Sequence, residues 1–465
     1  MKLFVRLLRA QFVFGVILSS YLWHLALRKV FGRLKRDPES GREQLVLPDW
    51  LRRQRRRVDE KNARRMLRGM LRLRGVYIKL GQVLSIMGGF LPRAYIRELE
   101  SLQDDVPPRP FAEIRHALRR ELGADPETIF ADFDQQPIAA ASLGQVHAAH
   151  LEDGRKVAVK VLYPRIRDVV RTDMKVVRLA MKVYRFFVPV QNIEQVHAAL
   201  VDLLQRETDY LHEAECMRRV GKNFASQDDV VVPEVVDAHT TADVLTMTFM
   251  EGIKISRVEE LEAAGISRHA VATRLIQSFY EQVFVHRFFH ADPHPGNFLV
   301  QPGPDPEHPR LVILDFGAIS DVSQEMVDGM LDVLRGFFEQ NDELVLRGIE
   351  TIGFVAPGGD RPLLDRTVRT YFQKLLQVED RTVGAISRAR TEELEALMDP
   401  EVEGRQLRDL MRSIRYPEGW FYVERASVLL FWLAGTIDPE IDTLQVGFPY
   451  VLPLLAQRTA TLAGS

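Results

Sequence analysis

Two short segments place a carboxylate, an amide and a second carboxylate within one stretch of the chain. The first reads His290-Ala-Asp-Pro-His-Pro-Gly-Asn297 and the second reads Leu314-Asp-Phe-Gly317. Their polar members, Asp292, Asn297 and Asp315, carry the hard oxygen ligands that Mg²⁺ prefers, and Mg²⁺ usually combines few protein ligands with phosphate oxygens. The two segments therefore predict a fold that brings both of them to one site, where their side chains would serve phosphoryl transfer. Asp292 is the predicted catalytic acid, and the other two are the predicted metal ligands.

The first segment has the spacing of a protein-kinase catalytic loop. Asn297 follows Asp292 by five positions, as in the pattern H-R-D-x-x-x-x-N. Ala291 replaces the Arg of that pattern, which in many kinases binds a phosphorylated activation loop. After Gly317 the chain enters a helical pattern at Ser323, without an A-P-E motif. These departures predict that the protein does not take a protein substrate.

A lysine and several acids upstream complete the predicted site. Lys160 ends the apolar pattern Val157-Ala-Val-Lys160, and a buried amine needs an anionic partner. Phosphates and Glu213 are suitable partners, whereas an edge-strand lysine facing solvent is the alternative. Glu207-Thr-Asp209 and Glu213 fall in one predicted helix from about 193 to 219, where Asp209 and Glu213 share a face.

The order of patterns along the chain predicts an α+β fold, with a small sheet-containing lobe followed by a helical lobe. Strand patterns flank a turn at 152–154 and recur at 230–233 and 244–249, and helical patterns dominate after about 268. The Pro-rich stretch at 302–309 is a predicted loop between two strands. We predict four segments: a membrane-associating segment (1–45), a helical extension (46–135), the small lobe (136–252) and the helical lobe (253–465).

The front of the chain is basic. Residues 1–80 contain 21 Lys and Arg against 6 Asp and Glu, whereas the rest of the chain carries 41 against 58. The apolar run from Phe12 to Leu27 has cations on both sides. It predicts a membrane-associated helix, either interfacial or spanning, with the catalytic body in the cytoplasm. A helix packed on the protein's own core is the alternative. Few aromatic residues interleave with the arginines of 50–75, so no nucleic acid partner is expected.

Six separated motifs in a fixed order resemble the UbiB/AarF/ADCK family of atypical kinase-like proteins. Lys79-Leu-Gly81-Gln82 is similar to the family's KxGQ motif, Ala139-Ala140-Ala141-Ser142 to its Ala-rich loop, and Glu207-Thr-Asp209 to its ExD motif; Lys160, Glu213, Asp292, Asn297 and Asp315 complete the set. The resemblance covers residues from about 60 to 340.

The resemblance implies a bilobal protein-kinase-like fold with an N-terminal helical extension packed over the active site. It implies ATP and Mg²⁺ as cofactors, and a link to isoprenoid-quinone (ubiquinone-type) biosynthesis, lipid binding and ATPase activity. The KxGQ residues Lys79, Gly81 and Gln82 are implied to be regulatory, with Lys79 meeting Glu207 and Asp209 and obstructing a protein substrate.

The remaining predicted contacts are with nucleotide. Lys160, held by Glu213, is expected to contact the α and β phosphates, and the Ala-rich loop stands where a kinase carries its Gly-rich loop. The segment containing Phe249, Met250 and Gly252 is expected to offer backbone groups to adenine. The expected partners are thus a nucleotide and a membrane lipid or quinone precursor.

Two other functions stay open on the sequence alone. Aminoglycoside and choline kinases carry a similar His-x-Asp-x-His-x-x-Asn segment, which allows a small-molecule phosphotransferase. The KxGQ motif and the Ala-rich loop are not expected in those enzymes. A non-catalytic lipid-binding pseudokinase is the third candidate, but it would have no chemical need for the complete set of ionic residues.

Overall fold

The computed structural model describes residues 2–36, 43–86, 92–99, 102, 108–187, 193–356, 358, 362, 365, 415 and 417–463. The chain divides into two compact units. The first comprises Met1–Ile114, Gln136–Val146 and Leu162–Phe187, and the second comprises Arg115–Gln135, His147–Val161 and Val188–Ser465. The four segments predicted from the sequence stay predictions, and residues 366–414 of the predicted helical lobe lie outside the described residues.

Helices and short strands alternate through most of the described chain, which is an α+β fold as predicted. The first elements are α1 (Lys2–Phe31), β1 (Arg33–Arg36), β2 (Glu43–Val46), α2 (Asp49–Leu73), α3 (Val76–Ile86), α4 (Arg93–Leu99), α5 (Phe111–Leu122), α6 (Pro126–Ile129), β3 (Asp132–Ala140), β4 (Gly144–His150), β5 (Lys156–Leu162) and α7 (Ile166–Phe187). There follow α8 (Ile193–Arg206), α9 (Tyr210–Asn223), β6 (Val230–Val231), β7 (Val244–Thr248), β8 (Ile253–Lys254), α10 (Val258–Ala263), α11 (Arg268–Tyr280), β9 (Phe288–His290), β10 (Phe298–Gln301), β11 (Arg310–Ile313), β12 (Ile319–Asp321), α12 (Gln324–Glu339), α13 (Asp342–Ile352), α14 (Trp420–Ile437) and α15 (Thr443–Ala463).

In the first unit, α1 packs against α2 and α7 through polar contacts as well as apolar ones. The Tyr21 hydroxyl donates a hydrogen bond to Asp59 of α2 at 2.6 Å. Arg6 forms an ion pair with Asp173 of α7, also at 2.6 Å, and Asp173 is buried. Val5–Phe31 is long and apolar enough to cross a membrane by length and composition. One face of this helix is nevertheless committed to contacts within its own unit.

The sheet predicted for the small lobe has the strand order β3-β4-β5-β7. β5 and β7 are antiparallel, and Lys160 lies opposite Leu245. The predicted turn at 152–154 joins β4 to β5, and the predicted Pro-rich loop at 302–309 joins β10 to β11. Both predictions are confirmed. They follow from Gly and Pro residues that interrupt apolar patterns of period two.

The predicted continuous helix from 193 to 219 is wrong at its centre. α8 ends at Arg206, and α9 begins only at Tyr210. The Asp209 side chain accepts a hydrogen bond from the His212 backbone N–H at 3.3 Å and so caps α9. A carboxylate at this position satisfies an N–H that has no partner within the helix. Asp209 is therefore a cap, whereas Glu213 is buried one turn into α9.

The second unit holds two further sheets, with orders β6-β11-β10-β8 and β12-β9. β6 was expected in the small lobe, but it pairs in parallel with β11, with Val230 opposite Leu311. β10 and β11 form an antiparallel hairpin. The helices α14 and α15 pack against α11, and α12 packs against α13. The short strands after α11 therefore carry the segments expected to do chemistry.

Candidate active site

The first predicted catalytic segment, from His290 to Asn297, is a loop between β9 and β10 that its own histidines support. The backbone N–H of Asp292 donates to Nδ1 of His290 at 3.2 Å. The backbone N–H of Gly296 donates to Nδ1 of His294, also at 3.2 Å. The Asn297 amide donates to the backbone carbonyl of Asp292 at 3.0 Å. These contacts fix the loop from which Asp292 and Asn297 project.

The β10–β11 hairpin brings the second catalytic segment beside the first. Phe298 lies opposite Ile313, and the Leu314 backbone N–H donates to the Asn297 carbonyl at 2.9 Å. Asn297 and Asp315 therefore lie at the same end of one hairpin, although many residues separate them in the sequence. The Pro-rich loop closes the opposite end of the hairpin, away from these two predicted metal ligands.

Lys160 lies between two acids. Its Nζ is 2.7 Å from Oε1 of Glu213 and 2.9 Å from Oδ2 of Asp315. The Glu213 side chain is fully buried, whereas the Asp315 side chain is 34% exposed. The ring of Tyr210, centred 5.2 Å from Nζ, adds a cation–π contact. The pairing of Lys160 with Glu213 predicted from the sequence is present, and the solvent-facing alternative for Lys160 is wrong.

Burial and charge act in opposite directions on these three groups. Burial lowers the pKa of Lys160, but the carboxylates of Asp315 and Glu213 more than compensate and raise it well above its usual range. Burial raises the pKa of Glu213, and Lys160 only partly offsets this effect. Burial also acts to raise the pKa of Asp315, but the Lys160 charge and hydrogen bond bring it below its usual value. Lys160 is therefore a charged amine that is paired with both carboxylates.

The turn between α8 and α9 lies against Gly317, two residues after Asp315. A Cβ built on Gly317 would come 3.5 Å from Oε2 of Glu213 and 3.6 Å from Cα of Glu207. The Phe316 backbone N–H donates to Oε1 of Glu213 at 3.3 Å. Glu207 and Glu213 thus adjoin the second catalytic segment within the same unit.

One residue of this site was missed by the sequence analysis. Arg425, on α14, forms an ion pair with Asp292, with Nη2 2.8 Å from Oδ1. Its side chain is 2% exposed. The available signal was Arg425 itself, the single cation in the largely apolar stretch from Trp420 to Leu433, where Glu424 is the single acid. A buried cation needs an anionic partner. No motif identified it.

The expected adenine segment crosses from one sheet to another. The Phe249 backbone N–H donates to the Lys156 carbonyl at 3.1 Å, at the edge of β5. At Gly252, φ is +155°, and a Cβ there would lie 3.0 Å from the Val300 carbonyl oxygen. Glycine is needed because the backbone approaches β10 closely. Met250 lies between these two points, and the adenine contact of the segment stays a prediction.

The remaining predicted residues belong to the first unit. The Ala141 backbone N–H donates to the Gly144 carbonyl at 2.8 Å, so Ala139–Ser142 forms the end of β3 and the tight connection to β4. Lys79, Gly81 and Gln82 lie on α3, where the Gln82 amide donates to the Leu102 carbonyl at 2.9 Å. A Cβ at Gly81 would overlap the Leu102 side chain. The roles of both motifs stay predictions.

Comparison with known proteins identifies the family. A model of the ABC1 atypical kinase-like domain matches residues 101–348. Protein ACTIVITY OF BC1 COMPLEX KINASE 8, chloroplastic, of Arabidopsis thaliana is 32% identical over 412 residues, which cover 84% of this chain and 54% of that protein. The probable serine/threonine-protein kinase abkD of Dictyostelium discoideum is 30% identical over 339 residues, which cover 72% of this chain and 47% of that protein. The chain thus spans about half the length of these relatives.

The solved structure of Mycobacterium tuberculosis Rv3197 in complex with erythromycin aligns with 84% of this chain and 98% of that one. Its TM-score is 0.49 and its sequence identity is 24%. The domain match covers more than half of the chain and contains Lys160, Glu213, Asp292, Asn297 and Asp315. It confirms the resemblance stated from the motifs, and with it the kinase-like fold. The chain therefore belongs to the ABC1 atypical kinase-like family.

Proposed function

We propose that the protein is an ATP-using, magnesium-dependent enzyme of the atypical kinase type, acting as an ATPase or a kinase at a membrane. The observation that carries the proposal is the ion-paired cluster of Lys160, fully buried Glu213 and partly exposed Asp315, in the same unit as Asp292 and Asn297. A charged amine between two carboxylates is suited to exchange one of them for phosphate oxygens. A purely structural ion pair would have no use for the neighbouring amide and second acid.

Each side chain has a role that its position supports. Glu213, which is fully buried, would retain Lys160 while the more exposed Asp315 releases it to the nucleotide phosphates. Asn297 and Asp315 would hold Mg²⁺, since their oxygens lie at one end of the β10–β11 hairpin. Bound Mg²⁺ would neutralise charge on the phosphate oxygens. Asp292 would orient an attacking water or acceptor hydroxyl.

The remaining assignments complete the proposal. The Ala139–Ser142 connection would cover the phosphates, and the segment from Phe249 to Gly252 would contact adenine. Lys79 would regulate access by pairing with Glu207 and Asp209. These roles rest on the family resemblance.

We propose a lipid-like acceptor or effector of the isoprenoid-quinone type. The short path after Gly317 supports this choice over a protein substrate, because Ala318 to Val322 form strand β12 and its ends, and α12 begins directly after Ser323. Between Gly317 and α12 the chain therefore has no long loop that could hold an extended peptide. Analysis of the products would separate the cases: free phosphate indicates an ATPase, and a phosphorylated small acceptor indicates a phosphotransferase.

We further propose that α1 contacts an anionic membrane surface from the cytoplasmic side. Its outer face exposes Phe12, Trp23 and Val30, which are 72%, 64% and 72% exposed. The adjacent α2 exposes a series of cations on its outer face: Arg52, Arg53, Arg56, Arg57, Lys61, Arg64, Arg65, Arg68 and Arg72. Apolar side chains beside dense positive charge are typical of interfacial helices.

Steady-state ATP hydrolysis tests the enzymatic part of the proposal. We expect slow, magnesium-dependent phosphate release that anionic vesicles stimulate. Asp292→Asn should lower kcat by about 100-fold or more and leave MgATP affinity within about 2-fold, because it acts on the attacking group. A wild-type protein that binds MgATP without turning it over would support the pseudokinase instead.

Vesicle co-sedimentation tests the membrane part. The double variant Phe12→Ser, Trp23→Ser should lose binding to vesicles of phosphatidylglycerol and phosphatidylcholine. Leu211→Ser is the matched control, because Leu211 is 53% exposed in the second unit. Equal binding by all three proteins would refute the assignment of α1 as the membrane contact.

A further inference from the structure

Arg425 is a buried cation at the proposed catalytic acid. Its guanidinium lies 2.8 Å from Asp292, and both side chains are largely buried. Removing two charges from water is expensive, and the attraction between them often only balances that cost. Replacing a buried ion pair with apolar residues of similar volume is often neutral or stabilising. Stability alone therefore does not account for the ion pair.

A series of contacts within the second unit links α14, which carries Arg425, to α8, β12 and β9. Tyr422, three residues earlier on α14 and so on the same face, donates to Asp202 of α8 at 2.7 Å. The Arg206 guanidinium donates to the same Asp202 oxygen at 2.9 Å. The polar face of α14 is thereby attached to the end of α8.

Strand β12 connects α8 to the loop that carries Asp292. Arg206 also donates to the Ile319 carbonyl at 3.2 Å, and Ile319 pairs with His290 of β9. Asp292 follows His290 by two residues and meets Arg425. The catalytic acid is thus held from its own loop on one side and from α14 on the other.

Two nitrogens of the Arg425 guanidinium donate no hydrogen bond to the described residues. Among the described residues, Nε and Nη1 of Arg425 are buried and make no hydrogen bond. Buried donors without acceptors are uncommon and costly. Packing alone would favour a conformation in which every donor of Arg425 has an acceptor. The unsatisfied donors therefore indicate that the contact with Asp292 sets the conformation of this side chain.

We propose that Arg425 is a positioning residue that orients the Asp292 carboxylate toward the attacking water or acceptor hydroxyl. The inference rests on the proposed function. Ala291 leaves the position before Asp292 without a charge, and α14 supplies a cation from a part of the chain that lies beyond the residues matched by the family domain. The competing possibility is that the pair inhibits the enzyme by occupying the carboxylate.

The kinetics of Arg425 variants test the inference, with ATP hydrolysis and MgATP affinity measured separately. Arg425→Gln should lower kcat on the order of 100-fold, the scale expected when a reacting group is misplaced by about 1 Å. The Kd for MgATP should stay within about 2-fold, because Lys160, Asn297 and Asp315 are untouched. Arg425→Lys restores the charge and should recover part of kcat. It also keeps the test decisive if the Gln variant does not fold.

Arg458→Gln is the matched control. Arg458 makes ion pairs with Asp328 and buried Asp332 in the same unit, so its loss should lower the melting temperature and leave kcat unchanged. In an Asp292→Asn background, Arg425→Gln should lower kcat no further, because its effect passes through Asp292.

Four outcomes overturn the inference. An Arg425→Gln protein with wild-type kcat makes the pair dispensable, and a raised kcat makes it inhibitory. Equal losses of kcat in Arg425→Gln and Arg458→Gln make its role merely structural. These three outcomes leave the proposed function standing. Wild-type protein that binds MgATP without hydrolysis would remove the proposed function and this inference together.

Discussion

Replacement of Lys160 by Met should destabilise the second unit through the acid that the lysine leaves behind. Asp315 is 34% exposed and can be rehydrated, whereas Glu213 is fully buried. Among the described residues, the remaining hydrogen bond to Glu213 comes from the Phe316 backbone N–H, and Oε2 has none. Breaking a buried pair by removing one partner typically costs about 3–5 kcal/mol. We expect the lower end, about 3 kcal/mol, because burial already raises the pKa of Glu213 and a proton can neutralise it.

Urea unfolding followed by far-UV circular dichroism at pH 7 measures this cost. The double variant Lys160→Met, Glu213→Leu should be more stable than Lys160→Met alone, because it leaves no buried charge without its partner. Arg335→Gln is the control, since Arg335 forms a partly exposed i,i+4 pair with Glu339, and we expect a loss of at most about 0.5 kcal/mol. A Lys160→Met protein within about 0.5 kcal/mol of wild type would show that the buried pair does not form.

Three further predictions test separate parts of the structure. Burial lowers the pKa of His147 below its ordinary 6.5, so near that pH the unfolded chain binds a proton that the folded chain does not. The contribution of His147 to stability is therefore full above about pH 6.5 and is lost as the pH falls below it. His147→Gln should flatten this dependence in urea titrations from pH 5 to 7.5. A Cβ on Gly348 would lie 2.6 Å from the Gly329 carbonyl oxygen in the α12–α13 contact, so Gly348→Ala should lower stability by about 1–3 kcal/mol, while Gly15→Ala, with nothing within 4 Å, should not. Asn297→Ala should raise the Mg²⁺ concentration needed for half-maximal ATP turnover by about 10-fold and should leave magnesium-free nucleotide binding unchanged in calorimetry.

The parts of the site that lie close together in sequence, or on a regular strand, could be predicted. Lys160 lies in an apolar strand pattern of period two. A buried lysine there needs an anionic partner, and Glu213 was the predicted one. Asn297 and Asp315 are neighbours because a Pro-rich loop interrupts two strand patterns and closes a hairpin between them. In each case local propensity and the final fold agree.

The parts that depend on tertiary context could not be predicted. The period of 3.6 residues continues from 193 to 219, but the chain leaves the helix after Arg206, and the capping bond of Asp209 starts α9. β6 has the composition of any short apolar strand, and nothing in it specifies β11 as its partner. Arg425 meets Asp292 across more than a hundred residues, so no local pattern could pair them. Long-range partners are set by packing, which a single sequence does not display.

Calorimetric titration of MgATP into the protein tests the central claim most directly. We expect the wild type to bind MgATP at one site, and the binding to weaken by at least about 10-fold without Mg²⁺. Lys160→Met and Asp315→Asn should each lower the affinity for MgATP by a similar or larger factor, while Arg335→Gln keeps it. If Lys160→Met and Asp315→Asn bind MgATP as tightly as the wild type, the cluster of Lys160, Glu213 and Asp315 is not a nucleotide site and the account is wrong.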